Sequence, residues 1–386
     1  MFKLSNAIDT GALRAGHSTP THDGSQKTAL QLQTQNPVSG NEQFARDSFE
    51  VMKKWDTNKD GFLTPREIDR AMLDPSHSTW EAATICALKR ERSFISRLKN
   101  DEWGFESSIS SADLKAFASL PAGNQQANKT TFIQGRTASK LYNGASKTLY
   151  GGHPVRGTDL VQGHIGDCYL MAALSSKLYQ NPQFLQSMIS ELPNKRYSIQ
   201  FPCGDQVNVS APTAAEQVYF SHSFGLSRGF WPTLMEKGYG ELRNQQSLWS
   251  TTTVPSEAAD GGAPLEAGIA VFSAHGYESD YVLLSSGQTL RNRLTESFAQ
   301  KKAVTAGVFS NPFTSKALTD NNIVRGHAYG VLDYDPLNDI ILLFNPWHRK
   351  EPQGTKYSAN DKRNDGIFRL TLGEFKENFD TICYER

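Results

Sequence analysis

Gln162-Gly163-His164-Ile165-Gly166-Asp167-Cys168-Tyr169-Leu170-Met171-Ala172-Ala173-Leu174 is the stretch around which this chain is organised. A glycine-rich turn delivers a cysteine to the start of an apolar helix. Leu170, Leu174 and Leu178 fall at i, i+4 and i+8, with Met171 beside them, so one helical face is expected to be buried. Asp167 suits the N-cap, where its carboxylate would accept orphan backbone N–H groups. Cys168 then lies in the first turn, at the positive end of the helix dipole, a place that lowers a thiol pKa and favours thiolate. Gln162, upstream across two glycines, can fold back beside the sulfur. A thiolate with a nearby amide donor suits acyl transfer, one group attacking a carbonyl and the other holding the oxyanion. A lone cysteine in an apolar helix is usually a buried small hydrophobe, so catalysis here requires a base from elsewhere in the chain.

Composition bounds the alternatives. A chain of 386 residues has room for roughly two or three domains with sizeable cores. Lys and Arg total 40, as do Asp and Glu, so nothing points to nucleic acid or an anionic membrane as the partner. No apolar run approaches the ~18 residues of a membrane span. The first residues lack the apolar core of a secretory signal. Cys86, Cys168, Cys203 and Cys383 are dispersed and form no CxxC pair. This argues against a zinc cluster or disulfide framework and for a reducing, cytoplasmic setting. Residues 1–40 are rich in Ser, Thr, Gln, Asn and Gly, with Asp9 and Asp23 as their acids, and read as a disordered arm. The same character is compatible with the export signal of a bacterial effector acting in a host cytosol.

A helical pattern begins at Asn41 with Phe44, Val51, Met52 and Trp55, and runs into Asp56-Thr57-Asn58-Lys59-Asp60-Gly61-Phe62-Leu63-Thr64-Pro65-Arg66-Glu67. This fits the D-x-[DN]-x-[DN]-G-x5-E calcium loop. Asp56, Asn58 and Asp60 offer side-chain oxygens, Phe62 its carbonyl, and Thr64 a direct or water-mediated ligand. Glu67 would close the shell with both carboxylate oxygens, and Gly61 makes the sharp turn. The stretch resembles the EF-hand family. A partner can be aligned over Glu102 to Asp113, with Ile109 matching Leu63 and Glu102, Glu106, Ser110 and Asp113 as possible ligands. Gly104 has no ligand and Ser107 replaces the turn glycine, so a degenerate hand is expected. Between the loops, Trp80 to Leu98 reads as one helix. Pro121 to about Tyr150 is polar, with several Gly and Asn, and reads as a linker or covering loop.

Beyond Cys168 the helix is expected to run to about Tyr179 and break at Asn181-Pro182. Arg196 to Phe201 and Val207 to Val209 alternate like a hairpin. Phe230-Trp231-Pro232 opens another helix, and Glu257 to Gly268 reads as a Gly/Ala-rich break. The last part changes character: Ala303 to Val308, His327 to Asp333, Ile340 to Phe344 and Ile367 to Leu370 read as strands. A helical half followed by a strand-rich half is an α+β arrangement.

Among nine histidines, His327 stands out in Gly326-His327-Ala328-Tyr329-Gly330, at the start of a strand where a polar residue can face a cleft. The next strand ends in Asn345-Pro346-Trp347. Asn345 can accept an imidazole N–H and hold the ring toward the sulfur, while Trp347 can shield that bond from water. The order Gln-Gly-x-x-Gly-Asp-Cys, Gly-His-Ala-Tyr, Asn-Pro-Trp resembles the calpain family of papain-like cysteine proteases. Trp231-Pro232, Glu236-Lys237, Tyr239 and Gly261-Gly262 resemble the segment joining that family's two core subdomains. The resemblance covers about Tyr150 to Arg386.

By motif, the resemblance implies Cys168 as nucleophile, His327 as general base and acid, and Asn345 as its orienter. Gln162 and the Cys168 backbone N–H would form the oxyanion hole. Tyr169 replaces the family's tryptophan and His348 the glycine after Asn-Pro-Trp. The EF-hand unit also precedes the core here, whereas conventional calpains carry theirs after it. The expected whole is an α+β, papain-like two-subdomain protease core at 150–386, with a helical half at 150–260 and an antiparallel β half at 261–386. It would stand behind an all-α EF-hand domain at 41–120 and a linker at 121–149. The expected activity is calcium-linked endoproteolysis of protein substrates, with Ca2+ the one cofactor. Two rivals share these residues: an inactive calcium-sensing scaffold, and a thiol deamidase or transglutaminase.

Overall fold

The computed structural model describes residues 39–99, 107–224, 229–248, 251–310, 318–348, 352–358 and 365–386. The expected arm, apart from its last two residues, and the segment holding Glu102, Gly104 and Glu106 lie outside them.

Helix α1 (Gly40–Trp55) opens on Ser39, whose hydroxyl accepts the Glu42 N–H while Glu42 accepts the Ser39 N–H. This reciprocal pair satisfies two orphan donors. Then follow β1 (Phe62–Leu63), α2 (Pro65–Met72), α3 (Thr79–Ile95), β2 (Ile109–Ser110) and α4 (Ser111–Ala118). Helix α3 stops at Ile95, short of the expected Leu98. The short strands pair antiparallel with Leu63 opposite Ile109, the two positions matched from the sequence. The two halves also repeat a cap: Thr64 and Ser110 start α2 and α4, and the Glu67 and Asp113 carboxylates accept their backbone N–H groups. Ser110 and Asp113, two of the aligned ligands, thus serve this cap. Phe44, Leu63, Ile68, Ile85, Leu88, Ile109 and Phe117 fill the space between the helices.

The stretch 121–149, expected as a linker, carries helix α5 (Gln125–Tyr142), capped by Asn124 and packed along α3. Its buried face is Ala127, Thr130, Ile133, Gln134, Ala138 and Leu141. Small and polar residues at most of these positions hide the helical period.

The remaining chain begins with β3 (Leu160–Val161), α6 (Cys168–Gln180) and α7 (Phe184–Met188). Next come β4 (Ile189–Leu192), β5 (Arg196–Gln200), β6 (Gln206–Ser210), α8 (Ala214–Tyr219), β7 (His222–Ser223) and α9 (Trp231–Gln246). The expected hairpin is β5–β6, and β4 extends it to a three-stranded antiparallel sheet. The expected break at 257–268 runs into α10 (Leu265–Val271), whose first turn lies inside it. Then follow β8 (Tyr277–Tyr281), α11 (Gly287–Ala299), β9 (Val304–Val308), β10 (His327–Asp335), β11 (Ile340–Phe344), β12 (Ile367–Thr371), α12 (Leu372–Asn378) and β13 (Thr381–Glu385). Six of these strands form one antiparallel sheet in the order β12-β11-β10-β9-β13-β8.

Helix α6 lies directly on β10 and β9. Leu170, Leu174 and Leu178 are fully buried, each worth about 1.5–3 kcal/mol of transfer free energy. Gly330 permits the close approach: a Cβ there would lie 2.5 Å from Ser175 Oγ and 3.0 Å from the Ala172 carbonyl oxygen. Ser176 stitches the contact, donating to the Val331 carbonyl at 2.8 Å and accepting the Val304 N–H at 2.9 Å. The N-terminal helices dock on the same body. Thr213 Oγ1 donates to the Met72 carbonyl at 2.7 Å, and the buried Lys89 ammonium pairs with both Asp69 of α2 and Glu257.

Candidate active site

Cys168 is the first residue of α6 and is half-buried. Asp167 occupies the N-cap position, but its side chain makes no capping hydrogen bond, against expectation. It is buried instead against Glu236 of α9. The thiol also departs from expectation. Burial pushes Cys168 up and the Asp167 carboxylate pushes the same way, while the Ala328 backbone N–H at the sulfur draws it down. Desolvation outweighs the backbone donors and raises the thiol pKa above its ordinary value.

That Ala328 contact places the start of β10 at the sulfur. His327 is the first residue of β10 and is buried. Its Nε2 stands 2.9 Å from Asn345 Oδ1, just beyond the end of β11. Asn345 Oδ1 also accepts the Trp347 N–H at 2.9 Å. That second bond fixes which end of the amide is oxygen, so Nε2 carries the imidazole proton and Nδ1 is left as the basic atom. The Trp347 ring covers His327 with centroids 4.2 Å apart. Asn345 is fully buried, and its backbone N–H donates to the Gly366 carbonyl at 2.8 Å.

Gln162 is buried, and its backbone N–H donates to the Pro346 carbonyl at 2.9 Å, joining the glycine turn to the Asn-Pro-Trp turn. Its side-chain amide donates to the Ile165 carbonyl at 2.8 Å. Gln162, Cys168, His327 and Trp347 line one cavity of about 930 Å³.

Both departures from the family pattern are accommodated. Tyr169 is buried, donates to the Ala259 carbonyl and accepts from Arg243, each at 3.1 Å. His348 sits at φ 52°, the left-handed conformation that glycine adopts freely. Its ring stacks on Phe224 with centroids 5.3 Å apart.

Asp260 was not singled out from the sequence, and Glu236 entered only within the Glu236-Lys237 motif, without a role. Asp260 Oδ1 accepts the Gly166 N–H at 2.6 Å and the Gly261 N–H at 2.7 Å, tying the turn before the thiol to Gly261-Gly262. Glu236 stands behind Asp167 and accepts the Ser221 hydroxyl at 2.8 Å. An acid directly before a glycine pair was the available signal for Asp260. Glu236 offered no signal of a link to Asp167.

The candidate calcium loop is a separate site. Asp56 Oδ2 accepts the Gly61 N–H at 2.9 Å, Asp60 Oδ1 the Phe62 N–H at 2.9 Å, and Asn58 Oδ1 the Asp60 N–H at 3.3 Å. Gly61 has φ 85°, as the turn requires. Glu67 is buried, its carboxylate accepting from the N–H and hydroxyl of both Thr57 and Thr64. Burial would raise its pKa, but these bonds outweigh it and hold the carboxyl below its usual range. The donors are hard oxygens, as calcium requires. Among the described residues no ready group of three His, Cys, Asp or Glu side chains converges on a metal position. The loop therefore suits calcium in donor chemistry, with Glu67 turned to its capping partners.

Residues 117–384 match the family described as calpain family cysteine protease. Rat Calpain-13 is 28% identical over 265 residues, which are 58% of this chain and 36% of that protein. Human Calpain-8 is 26% identical over 258 residues, 58% of this chain and 35% of that protein. Chicken Calpain-2 catalytic subunit is 27% identical over 228 residues, 54% and 30% of the two chains. The matched part spans about a third of these relatives. No described helix is long and apolar enough to cross a membrane.

Proposed function

Because the chain belongs to the calpain family of cysteine proteases, we propose that it is a calcium-linked endopeptidase working through Cys168, His327 and Asn345. The observation carrying this reading is the buried His327–Asn345 hydrogen bond beneath Trp347, next to the Ala328 N–H of β10 that reaches the Cys168 sulfur. His327 Nδ1 takes the thiol proton as Cys168 attacks the peptide carbonyl. The Cys168 N–H and the Gln162 amide receive the oxyanion, and the imidazolium then protonates the departing amine. Water, deprotonated by His327, cleaves the thioester and restores the thiol. Asn345 keeps Nε2 engaged throughout.

In the N-terminal helices, which we read as an EF-hand pair, Asp56, Asn58, Asp60, the Phe62 carbonyl, Thr64 and Glu67 would hold calcium. A bound ion would supply positive charge to offset the Asp56, Asp60 and Glu67 carboxylates of the loop.

The test is cleavage of an unfolded protein with and without calcium by wild type and Cys168→Ala, read by mass spectrometry. New peptide termini that vanish in the variant are expected. A small mass gain without new termini would instead mean deamidation, and undiminished cleavage by Cys168→Ala would refute the assignment.

A further inference from the structure

The cavity that holds Cys168 is not built by the glycine turn and strands alone. Arg90 of α3 and Lys129, Phe132, Arg136 and Lys140 of α5 form another part of its wall. Lys129, Arg136 and Lys140 are spaced i, i+7 and i+11, so one helical face presents them together. The chain as a whole is neutral, yet among the described residues lining this cavity there is no Asp or Glu.

The charges are unevenly compensated. Glu91 pairs with Lys129 at 3.0 Å and with Arg90 at 3.8 Å. Arg136 and Lys140 have no carboxylate partner among the described residues. Lys140 is pushed down by burial and then by Arg136 and Arg90, the mark of like charges crowded together. His164, whose Nε2 lies 3.1 Å from Arg90 Nη1, is depressed by burial and by the same cations to about 3, and His222 by burial and Lys140 to about 4. Both imidazoles are therefore neutral near pH 7, and the positive charge belongs to the four long side chains. Phe132 is 64% exposed in the same face and offers an apolar platform.

We propose that this wall is a substrate subsite for acidic side chains: the cleft selects protein segments carrying Asp or Glu beside the bond presented to Cys168. The proposal rests on the proteolytic reading of the cleft. Carboxylates would replace the missing counter-charges of Arg136 and Lys140. The planar Arg136 and Arg90 guanidiniums suit two-point contact with them.

Binding tests the subsite apart from catalysis. Fluorescein-labelled peptides of one sequence, with Glu, Ala or Lys at the positions flanking a central Leu, are titrated into full-chain Cys168→Ala and followed by anisotropy. The Glu peptide is expected to bind roughly tenfold or more tightly than the Lys peptide at low salt, the gap narrowing as salt rises. Adding Arg136→Glu and Lys140→Glu should invert the order. Arg136→Gln, milder at an exposed position, should shrink the gap if the double reversal does not fold. Equal binding of all three peptides, or a gap unchanged by Arg136→Gln, overturns the proposal. The same peptides are then incubated with wild type. Lack of cleavage despite selective binding would count against the proteolytic reading and leave the acidic subsite standing.

Discussion

Asp167 is fully buried one residue before the thiol, and its closest acidic neighbour, Glu236, is fully buried too. With both ionised, two carboxylates would face each other in a buried site; a proton on Glu236 turns that contact into a hydrogen bond to Asp167. Burial, then the Asp260 carboxylate, push Asp167 from 3.8 up to about 7, while burial and Asp167 push Glu236 well above the usual carboxylate range. In the unfolded chain Asp167 ionises near 3.8. The folded group has the higher pKa, so the stability it contributes is complete below pH 3.8, declines as pH rises toward about 7, and stays lost above. At roughly 1.4 kcal/mol per pH unit, that loss is about 4 kcal/mol.

Asp167→Asn keeps the shape and deletes the titration. Its stability relative to wild type should therefore rise by about 4 kcal/mol between pH 4 and pH 8, measured by urea denaturation at fixed ionic strength. Subtracting the two proteins cancels every shared carboxylate, and relieving Glu236 of a like charge moves the difference the same way. Removing the anion should also lower the Cys168 thiol pKa, seen as faster alkylation by iodoacetamide below pH 8. A stability difference that stays flat from pH 4 to pH 8 would refute the shared-proton account.

Three further outcomes follow from the geometry. Gly330→Ala inserts a methyl against Ser175 and Ala172 and should lower peptidase kcat/KM about 100-fold by pushing α6 from β10; unchanged kcat/KM with an unchanged melting temperature would show the contact is slack. Glu67→Ala removes the cap on α2 and the closing ligand together. It should cost about 1 kcal/mol without metal and abolish the calcium heat in isothermal titration. His348→Gly trades relief of a left-handed side chain, about 1 kcal/mol, for a lost ring stack of similar size, so stability in urea should change by under about 1 kcal/mol.

What the sequence made legible has a common physical basis. Helix α6 was readable because its leucines repeat at helical spacing, and the pairing of Leu63 with Ile109 because both loops place one apolar residue before a capping Thr or Ser. His327 and Asn345 were readable because each sits where a strand meets a loop. Helix α5 was not, since Ala127, Thr130, Gln134 and Ala138 bury small or polar groups against α3. Strand β8, Tyr-Glu-Ser-Asp-Tyr, is polar because it is an edge strand of the large sheet. The elevated thiol was hidden for a different reason: a helix terminus is visible in one short motif, whereas desolvation depends on residues distant in sequence.

A path of ion pairs and hydrogen bonds runs from the N-terminal helices to the turn before the thiol. Lys89 of α3 pairs with Asp69 of α2, two residues beyond Glu67, and with Glu257 at 2.5 Å. Glu257 lies in the short 3-10 turn Pro255–Ala259, and the next residue, Asp260, holds the Gly166 and Gly261 N–H groups in front of Cys168. A displacement of α2 that moved Asp69 would thus pull on the turn that presents the nucleophile. Spatial continuity alone does not establish coupling, but a double-mutant cycle measures it. Lys89→Met leaves two carboxylates without their shared cation and should destabilise by about 3 kcal/mol; Asp260→Asn weakens the clamp on Gly166. If the clamp and the ion pair act as one unit, their effects on the Cys168 alkylation rate should deviate from additivity by more than about 0.5 kcal/mol. Strict additivity would mean that the N-terminal helices contribute the cationic wall of the cleft and exert no control over the thiol through this path.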